Sequence, residues 1–339
     1  MLFRSGFLYW KGIGVQQDYA QAAIWSRKSA ERGNADAQTL LGVAYAHGQG
    51  VPQDYTQAAE WYLKAADQGN ADAQTLLGVA YALGQGVPED NTRAAAWFRR
   101  AAEQGDAGAQ NLLGDMLAEG QRVPQDYTQA AKWYRKSADL GNADAQRSLG
   151  VAYSIGQGVP QDDAQAIVLY RKAAEQGDAK AQFLLGMSYE AGVGGPKDDA
   201  QAAIWYRKSA DLGLADAQER LGVGYITERG LPQDYTQGAA WLHKAAEQGK
   251  GGAQFCLGAM YLDGVGMPQD YAEAYFWLNI AASGSVDNVK AEDVTKSRDA
   301  AASHLSSAVL LQTQERARKW YAAHVLTTTD DTNKRERSL

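Results

Sequence analysis

Four histidines are the residues of this chain best suited to acid–base or metal chemistry. They are His47, His243, His304 and His324, and they lie in unrelated sequence contexts. A metal or hydrolytic site needs ligands at short, matched spacings or a nucleophile beside a base, and no pair of these histidines meets that requirement. The sequence therefore predicts no catalytic residue, no metal site and no cofactor, and we expect the chain not to be an enzyme.

A series of aspartates is the second candidate for chemistry, because regularly repeated carboxylates could bind cations. Each aspartate stands alone before a helical pattern, at the place where a carboxylate accepts a hydrogen bond from an unpaired backbone amide. We therefore interpret the series as helix N-caps. Its members are Asp18, Asp54, Asp90, Asp126, Asp162, Asp198, Asp234 and Asp270.

The aspartates belong to a sequence repeat with a period of 36 residues, the spacing of Trp25 and Trp61. A fixed period of this size is typical of solenoids, in which each unit buries its apolar face only against its neighbours. We interpret the repeated tryptophans as core residues; Leu169 interrupts their series. They are Trp25, Trp61, Trp97, Trp133, Trp205, Trp241 and Trp277.

Each repeat contains two helical patterns. Ala37, Leu41 and Tyr45 are four residues apart and share one face of a first helix, which we name helix A. Glycines and a proline end this helix, and Asp54 then begins a second one, helix B, which runs to Gly69. The predicted fold class is all-α, an α/α superhelical solenoid of 36-residue two-helix repeats with a C-terminal helical cap.

A glycine recurs inside helix A, as at Gly42. Glycine inside a helix costs about 1 kcal/mol relative to alanine, so its repetition needs a structural reason. We predict that helices A and B approach closely at this position, with the large side chains packed around the contact.

These residues together resemble the Sel-one-like repeat (SLR) family, a branch of the tetratricopeptide repeat (TPR) superfamily. The resemblance implies a right-handed superhelix with helix A lining the concave side. It also implies an adaptor that holds other proteins together, often in bacterial signalling, envelope or host-interaction systems. The residues that carry it are Ala37, Leu41, Gly42, Tyr45, Gly48, Gly50, Ala58, Trp61, Lys64, Ala65, Ala66 and Gly69.

The pattern divides the chain into four parts. Residues 1–36 are a truncated first repeat, 37–288 are seven full repeats, 289–326 are capping helices, and 327–339 are polar enough that we expect a disordered tail. The truncated edge would expose apolar surface near Phe3, Phe7 and Leu8, and we expect it to allow self-association. One further irregularity is Glu228, which replaces the glycine that ends helix A, so that this helix runs longer or its loop is strained.

Composition narrows the class of partner. The net charge of −7 argues against nucleic acid as the partner, because nucleic acid is bound by a stripe of basic residues.

No apolar run is long enough to span a bilayer, so we expect no membrane insertion. The start of the chain does not read as a secretory signal, and we expect a soluble protein of the bacterial cytoplasm or periplasm. Cys256, the single cysteine, stands where other repeats have leucine and is expected to be an inert small hydrophobic residue.

The positions of helix A that vary between repeats are the predicted partner-binding groove. In the TPR superfamily that the chain resembles, such positions contact bound peptides. Here they are acidic and apolar, and we expect Phe183 and Phe255 to be exposed hot spots. The predicted groove residues are Asp144, Arg147, Ile155, Phe183, Met187, Glu190, Glu219, Ile226, Phe255, Leu262 and Asp263.

Three functions remain open at this point, the last of them an enzyme of a type that the sequence does not reveal, which turnover by the purified chain would support. The first is a non-enzymatic scaffold that binds a partner protein or peptide segment, one that is basic and carries apolar anchors. The alternative is a regulatory subunit that inhibits or localises a partner enzyme or signalling protein. The scaffold and the regulatory subunit would use the same groove, so the sequence does not separate them.

Overall fold

The computed structural model describes residues 2–120, 123–284 and 289–335, with side chains described as far as His324. The described residues form eighteen α-helices and contain no strand, so the all-α prediction is confirmed. The chain divides into two compact units. Unit 1 is Met1–Gln161 and unit 2 is Asp162–Asn333.

Unit 1 contains nine helices among its described residues, and consecutive helices pack against each other as antiparallel A and B helices of a solenoid do. The odd-numbered helices are helix A of their repeat. They are α1 (Leu2–Lys11), α2 (Tyr19–Ala30), α3 (Ala35–His47), α4 (Tyr55–Asp67), α5 (Ala71–Leu83), α6 (Asn91–Glu103), α7 (Ala107–Glu119), α8 (Tyr127–Asp139) and α9 (Ala143–Ile155).

Unit 2 begins with a helix B and continues with the same alternation. Two further helices follow the last repeat. The helices are α10 (Asp163–Glu175), α11 (Ala179–Ala191), α12 (Asp199–Asp211), α13 (Ala215–Thr227), α14 (Tyr235–Glu247), α15 (Gly251–Asp263), α16 (Tyr271–Ser283), α17 (Ala291–Ser303) and α18 (Ser307–Arg335).

Local signals set the helix ends. The Asp54 carboxylate accepts hydrogen bonds from the backbone amides of Thr56 and Gln57, at 2.9 and 3.0 Å, and all eight repeated aspartates cap a helix B in this way. The N-cap interpretation is therefore confirmed. Asn70 caps the next helix A through the amide of Ala73 at 2.9 Å. The sequence alone predicts these helix ends because each cap side chain accepts hydrogen bonds from backbone amides only two or three residues later.

The helix A glycine marks close contact between the two helices of a repeat, as predicted. A Cβ atom at Gly42 would lie 2.5 Å from a ring carbon of Tyr62 and 3.2 Å from the carbonyl oxygen of Ala58. The equivalent atom at Gly186 would lie 2.7 Å from the Tyr206 ring. The aromatic ring of helix B therefore occupies the space that any larger helix A residue would need.

A buried glutamine at the fourth position of helix A joins successive repeats. In unit 2, the amide of Gln218 donates to the carbonyl oxygen of Ala210 at 3.2 Å and accepts from the amide of Gln248 at 2.8 Å. Leu212 stands where Gln248 stands one repeat later, and Gln182 Oε1 is consequently buried without a partner. Gln110 Oε1 in unit 1 is in the same position, because Leu140 takes the place of a glutamine.

The tryptophan series is only partly core. Trp205, Trp241 and Trp277 in unit 2 are buried, as predicted. The prediction is wrong for unit 1, where Trp25, Trp61, Trp97 and Trp133 are half-buried. Their exposed faces are covered by a basic side chain three residues later, as where the Lys64 ammonium lies 4.0 Å from the Trp61 ring centroid. The buried Trp205 and Trp241 have the same cation–π contact, with Lys208 and Lys244, so the contact accompanies either degree of burial.

Glu228 ends α13 in the left-handed backbone conformation, with φ of 58°. The helix ends where the others do, so of the two expectations the strained turn is the one observed. L-residues adopt this conformation at a cost because the Cβ atom crowds the backbone, which is why glycine occupies the position in the other repeats.

The chain after the last repeat forms α17 and α18, the two helices that the sequence predicted there. Val294 and Ala301 of α17 are buried, and so is Ala317 of α18. The backbone of α18 continues as helix to Arg335, into the segment for which a disordered tail was expected, because helical hydrogen bonds are local and need no packed core. Residues 336–339 lie outside the described residues, and the four-part division of the chain stays a prediction.

Candidate partner-binding surface

Five positions of each helix A vary between repeats: the second, fifth, ninth, twelfth and thirteenth. We call them the variable positions. The third, fourth, seventh and eighth positions are buried in α11, α13 and α15. The variable positions of α11 are Lys180, Phe183, Met187, Glu190 and Ala191.

The structure corrects the expected exposure of the apolar groove residues in unit 2. Met187 is exposed, at 39% of its maximum. Phe183, Ile226, Phe255 and Leu262 were expected to be exposed as well, but each is half-buried and packs against buried core residues.

The neighbouring helices explain the difference. Phe183 lies beside the ring of Tyr206 on α12, with 5.6 Å between the ring centroids. Phe255 and Leu262 pack against a cluster that includes Leu278 and Ala301. A helix wheel drawn for helix A alone contains no information about this cover, because it is supplied by other helices.

Glu190 is the best-connected charged residue of the predicted set. Its Oε2 accepts a hydrogen bond from the Tyr206 hydroxyl at 2.6 Å. Its carboxylate also lies 3.4 Å from the guanidinium of Arg229 and 3.7 Å from that of Arg220. Two cations and a phenol therefore compensate this carboxylate, whose side chain is 22% exposed.

The other two acidic residues of the predicted set in unit 2 lie on two helices, Glu219 on α13 and Asp263 on α15. Glu219 lies on α13 close to α15, where a Cβ atom at Gly252 would be 2.1 Å from its Oε1. The absence of a side chain at Gly252 thus makes room for Glu219. Cys256 is half-buried nearby, and burial with the Glu219 charge raises the pKa of its thiol to about 11, as expected for an inert cysteine. Asp263 is exposed at the end of α15.

Unit 1 contains the other three predicted residues, all on α9. Asp144 and Arg147 form an ion pair of 2.8 Å one turn apart. Ile155, at the last position of α9, is 57% exposed. The structure thus brings Asp144 and Arg147 together and leaves Ile155 apart from them.

Sequence reasoning missed a polar network in unit 1. Asp115, at the ninth position of α7, accepts a hydrogen bond from the Tyr134 hydroxyl at 2.8 Å and another from the Asn111 amide at 3.0 Å. Burial raises the pKa of the Asp115 carboxyl to about 6; the Tyr134 hydrogen bond opposes that shift, and the charges of Glu119 and Asp144 add to it. The sequence analysis described the variable positions as acidic and apolar and did not single out Asp115. The available signal was that Val43, Val79 and Val151 occupy the same position in other repeats.

Other kinds of site find no support in the described part of the chain. No group of three or more histidine, cysteine, aspartate or glutamate residues there is placed to hold a metal ion. None of its helices is both long enough and apolar enough to cross a membrane.

The arrangement of paired helices with capped ends, a glycine at each crossing and variable outer positions has relatives. The Sel1 repeat profile matches eight consecutive segments: residues 1–34, 35–70, 71–106, 107–142, 143–178, 179–214, 215–250 and 252–286. The chain belongs to the Sel1 repeat family. The profile counts residues 1–34 as a repeat, where the sequence pattern suggested a truncated one.

Two solved structures of Sel1 repeat proteins are similar over most of the chain. A Sel1 repeat protein from Oxalobacter formigenes is 34% identical over 87% of this chain and 85% of its own length, with a TM-score of 0.68. A protective antigen of uropathogenic Escherichia coli with an SLR fold is 31% identical over 98% and 86%, with a TM-score of 0.59. A search of curated proteins gave no match. Sel1 repeat proteins are in general protein-interaction scaffolds and are typically non-catalytic.

Proposed function

We propose that this Sel1 repeat chain is a non-enzymatic scaffold, and that the variable positions of α11, α13 and α15 in unit 2 bind a segment of a partner protein. One observation carries the proposal. Phe183, Met187 and Glu190 lie on one face of α11 and combine an exposed thioether, the uncovered part of an aromatic ring and a carboxylate. Methionine is common at binding surfaces because its flexible side chain adapts to different apolar groups.

The chemistry of this face indicates the kind of segment. An apolar side chain of the partner would pack on Met187 and on the uncovered part of Phe183. A basic residue of the partner would be drawn by exposed carboxylates such as Asp263, since Glu190 already has Arg220 and Arg229. Charge would then govern the rate of association, and the apolar contact would govern the lifetime of the complex.

Site-specific photo-crosslinking in the native host tests the proposal. A photoreactive amino acid at position 187 should trap one discrete partner segment. The matched control is position 204, because Ile204 is 48% exposed, apolar and located on α12 of the same repeat. Equal trapping at both positions would contradict a binding surface on helix A.

The trapped segment, made as a peptide, then allows affinity to be measured. Met187→Ser should weaken its binding at least about fivefold, the loss of roughly 1 kcal/mol that removal of a partly buried apolar contact causes, with no change in melting temperature. Ile204→Ser should leave the affinity unchanged. Loss of stability without loss of affinity in Met187→Ser would assign Met187 to the core.

A further inference from the structure

Helix α7 of unit 1 has a pair of polar residues where the preceding repeats have smaller or apolar ones. Asn111 and Asp115 occupy its fifth and ninth positions. In α5 the same two positions are Thr75 and Val79. The repeat therefore folds with a threonine and a valine at these positions, and the polar pair is not required for packing.

Asp115 is a carboxylate with hydrogen-bond donors but no paired cation. Tyr134 donates to its Oδ1 and Asn111 to its Oδ2. No basic side chain in the part of the chain that the structure describes forms an ion pair with it. Arg147 on α9 lies near enough to lower the pKa of Asp115, but its guanidinium pairs with Asp144 at 2.8 Å. In this respect Asp115 differs from Glu190 with its two arginines.

Asn111 supplies a second and independent sign of an unfilled site. The residue is 8% exposed, and its Oδ1 is buried without a hydrogen-bond partner. The Asn111 amide nitrogen is committed to the Asp115 carboxylate, so the oxygen beside it is fixed as an acceptor. Buried polar atoms are nearly always satisfied, and an orphan beside an uncompensated carboxylate indicates a missing donor.

The acceptors around Asn111 indicate which kind of hydrogen-bond donor would fit. Asn111, Asp115 and Glu119 are four residues apart, so they follow one face of α7, and all three present oxygen acceptors. Glu119 is exposed at the end of this row. A positively charged group with several N–H donors complements such a row, whereas an anion or an apolar group would leave the acceptors unsatisfied.

We propose that Asn111, Asp115 and Glu119 form a subsite for a basic side chain, lysine or arginine, of a bound protein segment. The proposal rests on the proposed function, since it assumes that helix A receives such a segment. It deepens that function by assigning a cation-binding subsite to unit 1. The apolar contact of the proposed function is in unit 2.

Proton linkage supports the geometry and supplies a direct measurement. Burial raises the pKa of Asp115 to about 6, with Tyr134 on α8 and Arg147 on α9 opposing the shift, and Glu119 and Asp144 adding to it. A cation bound against the carboxylate favours its ionised form and expels the proton. Binding should therefore be about tenfold weaker at pH 5, where roughly a tenth of Asp115 is ionised, than at pH 7.

Carbon-detected NMR of the full chain with labelled aspartate tests this directly. The probes are N-acetyl-lysine methylamide and N-acetyl-arginine methylamide, with the uncharged N-acetyl-norleucine methylamide as control. Saturation with a cationic probe should lower the titration midpoint of the Asp115 carboxyl carbon by about one pH unit or more. The better of the two cations identifies the preferred side chain. An unchanged midpoint, or an equal change at exposed Asp263, would overturn the proposal.

Two variants separate binding from folding. The combined change Asn111→Thr and Asp115→Val copies Thr75 and Val79 of α5. It should abolish the heat of binding of both cations in isothermal titration calorimetry, a readout that does not need the Asp115 carboxyl carbon, while the protein remains folded by circular dichroism. Asp115→Asn keeps the shape of the side chain and should lose at least about tenfold in affinity, because a charge-assisted contact is removed. Normal binding of the cations by either variant would overturn the subsite. Neither result depends on Met187, so failure here and failure of the surface in unit 2 are distinguishable.

Discussion

Each unit has a helix B tyrosine that donates a hydrogen bond to a carboxylate, and the two carboxylates stand at different positions of helix A. In unit 1, Tyr134 of α8 donates a hydrogen bond to Asp115, which occupies the ninth position of its helix A. In unit 2, Tyr206 of α12 donates a hydrogen bond to Glu190, which occupies the twelfth position of its helix A. Both tyrosines pack over a helix A glycine, Gly114 or Gly186, and both are largely buried.

The surroundings of the two carboxylates differ in charge. Glu190 has Arg220 and Arg229 within 4 Å, whereas Asp115 has an asparagine whose own oxygen is unsatisfied. The same helix B tyrosine therefore serves either an internally neutralised ion cluster or a carboxylate that lacks a paired cation. The second arrangement costs stability, and such a cost is typical of functional positions.

The largest expected effect concerns the glycines beneath both tyrosines. Gly114→Leu and Gly186→Leu should each destabilise the protein by about 3 kcal/mol, because their Cβ atoms would lie 2.5 and 2.7 Å from ring carbons of Tyr134 and Tyr206. Urea unfolding measures the loss. Gly108→Leu is the control, since a Cβ atom there approaches only the Asp106 carboxylate, at 3.3 Å. A mild effect at Gly114 or Gly186 would show that the two repeats tolerate wider helix spacing.

The next effect is confined to unit 1 and depends on pH. The folded state holds the Asp115 proton up to about pH 6, and the ordinary pKa is 3.8. Stability should therefore fall as pH rises between these values, by about 2–3 kcal/mol relative to Asp115→Val. Urea unfolding of both proteins at pH 4 and pH 7 measures it. Parallel pH dependence in the two proteins would mean that Asp115 is well solvated.

The smallest expected effect compares the two hydroxyl groups. Phe98 occupies the equivalent position in another repeat, so phenylalanine fits there. Tyr134→Phe should cost about 1–2 kcal/mol because Asp115 loses a principal donor, while Tyr206→Phe should cost about 0.5–1 kcal/mol because two arginines still serve Glu190. Chemical denaturation of the two variants measures the difference. Equal losses would imply that Arg220 and Arg229 contribute nothing to Glu190 in solution, as many exposed ion pairs do.

The sequence predicted the features that depend on near neighbours. They are the cap at Asp54, the close contact at Gly42 and the capping helices after the last repeat, which follow from local hydrogen bonding or from the repeat itself. The fold class was predictable for the same reason, since every repeat gives the same signal again.

The candidate site was less predictable, because burial of an outer helix position depends on other helices. Phe183 and Phe255 vary between repeats and look exposed on a helix wheel, but Tyr206 and the cluster around Leu278 cover them in part. The network at Asp115 needs a tyrosine nineteen residues away and the orientation of one asparagine amide. Only the replacement of a valine by an aspartate was visible in the sequence.

The uneven cover of the tryptophans gives the chain a built-in optical label. Trp61 and Trp133 in unit 1 are half-buried, whereas Trp241 and Trp277 in unit 2 are buried. Indoles in contact with water emit at longer wavelengths and meet dissolved quenchers more often than enclosed ones do. Because Trp320 of unit 2 is half-buried as well, the red, easily quenched component comes mainly from unit 1 with a contribution from α18, and the bluer, protected component comes from the buried tryptophans of unit 2. A change in the protected component of an unlabelled sample therefore reports on unit 2.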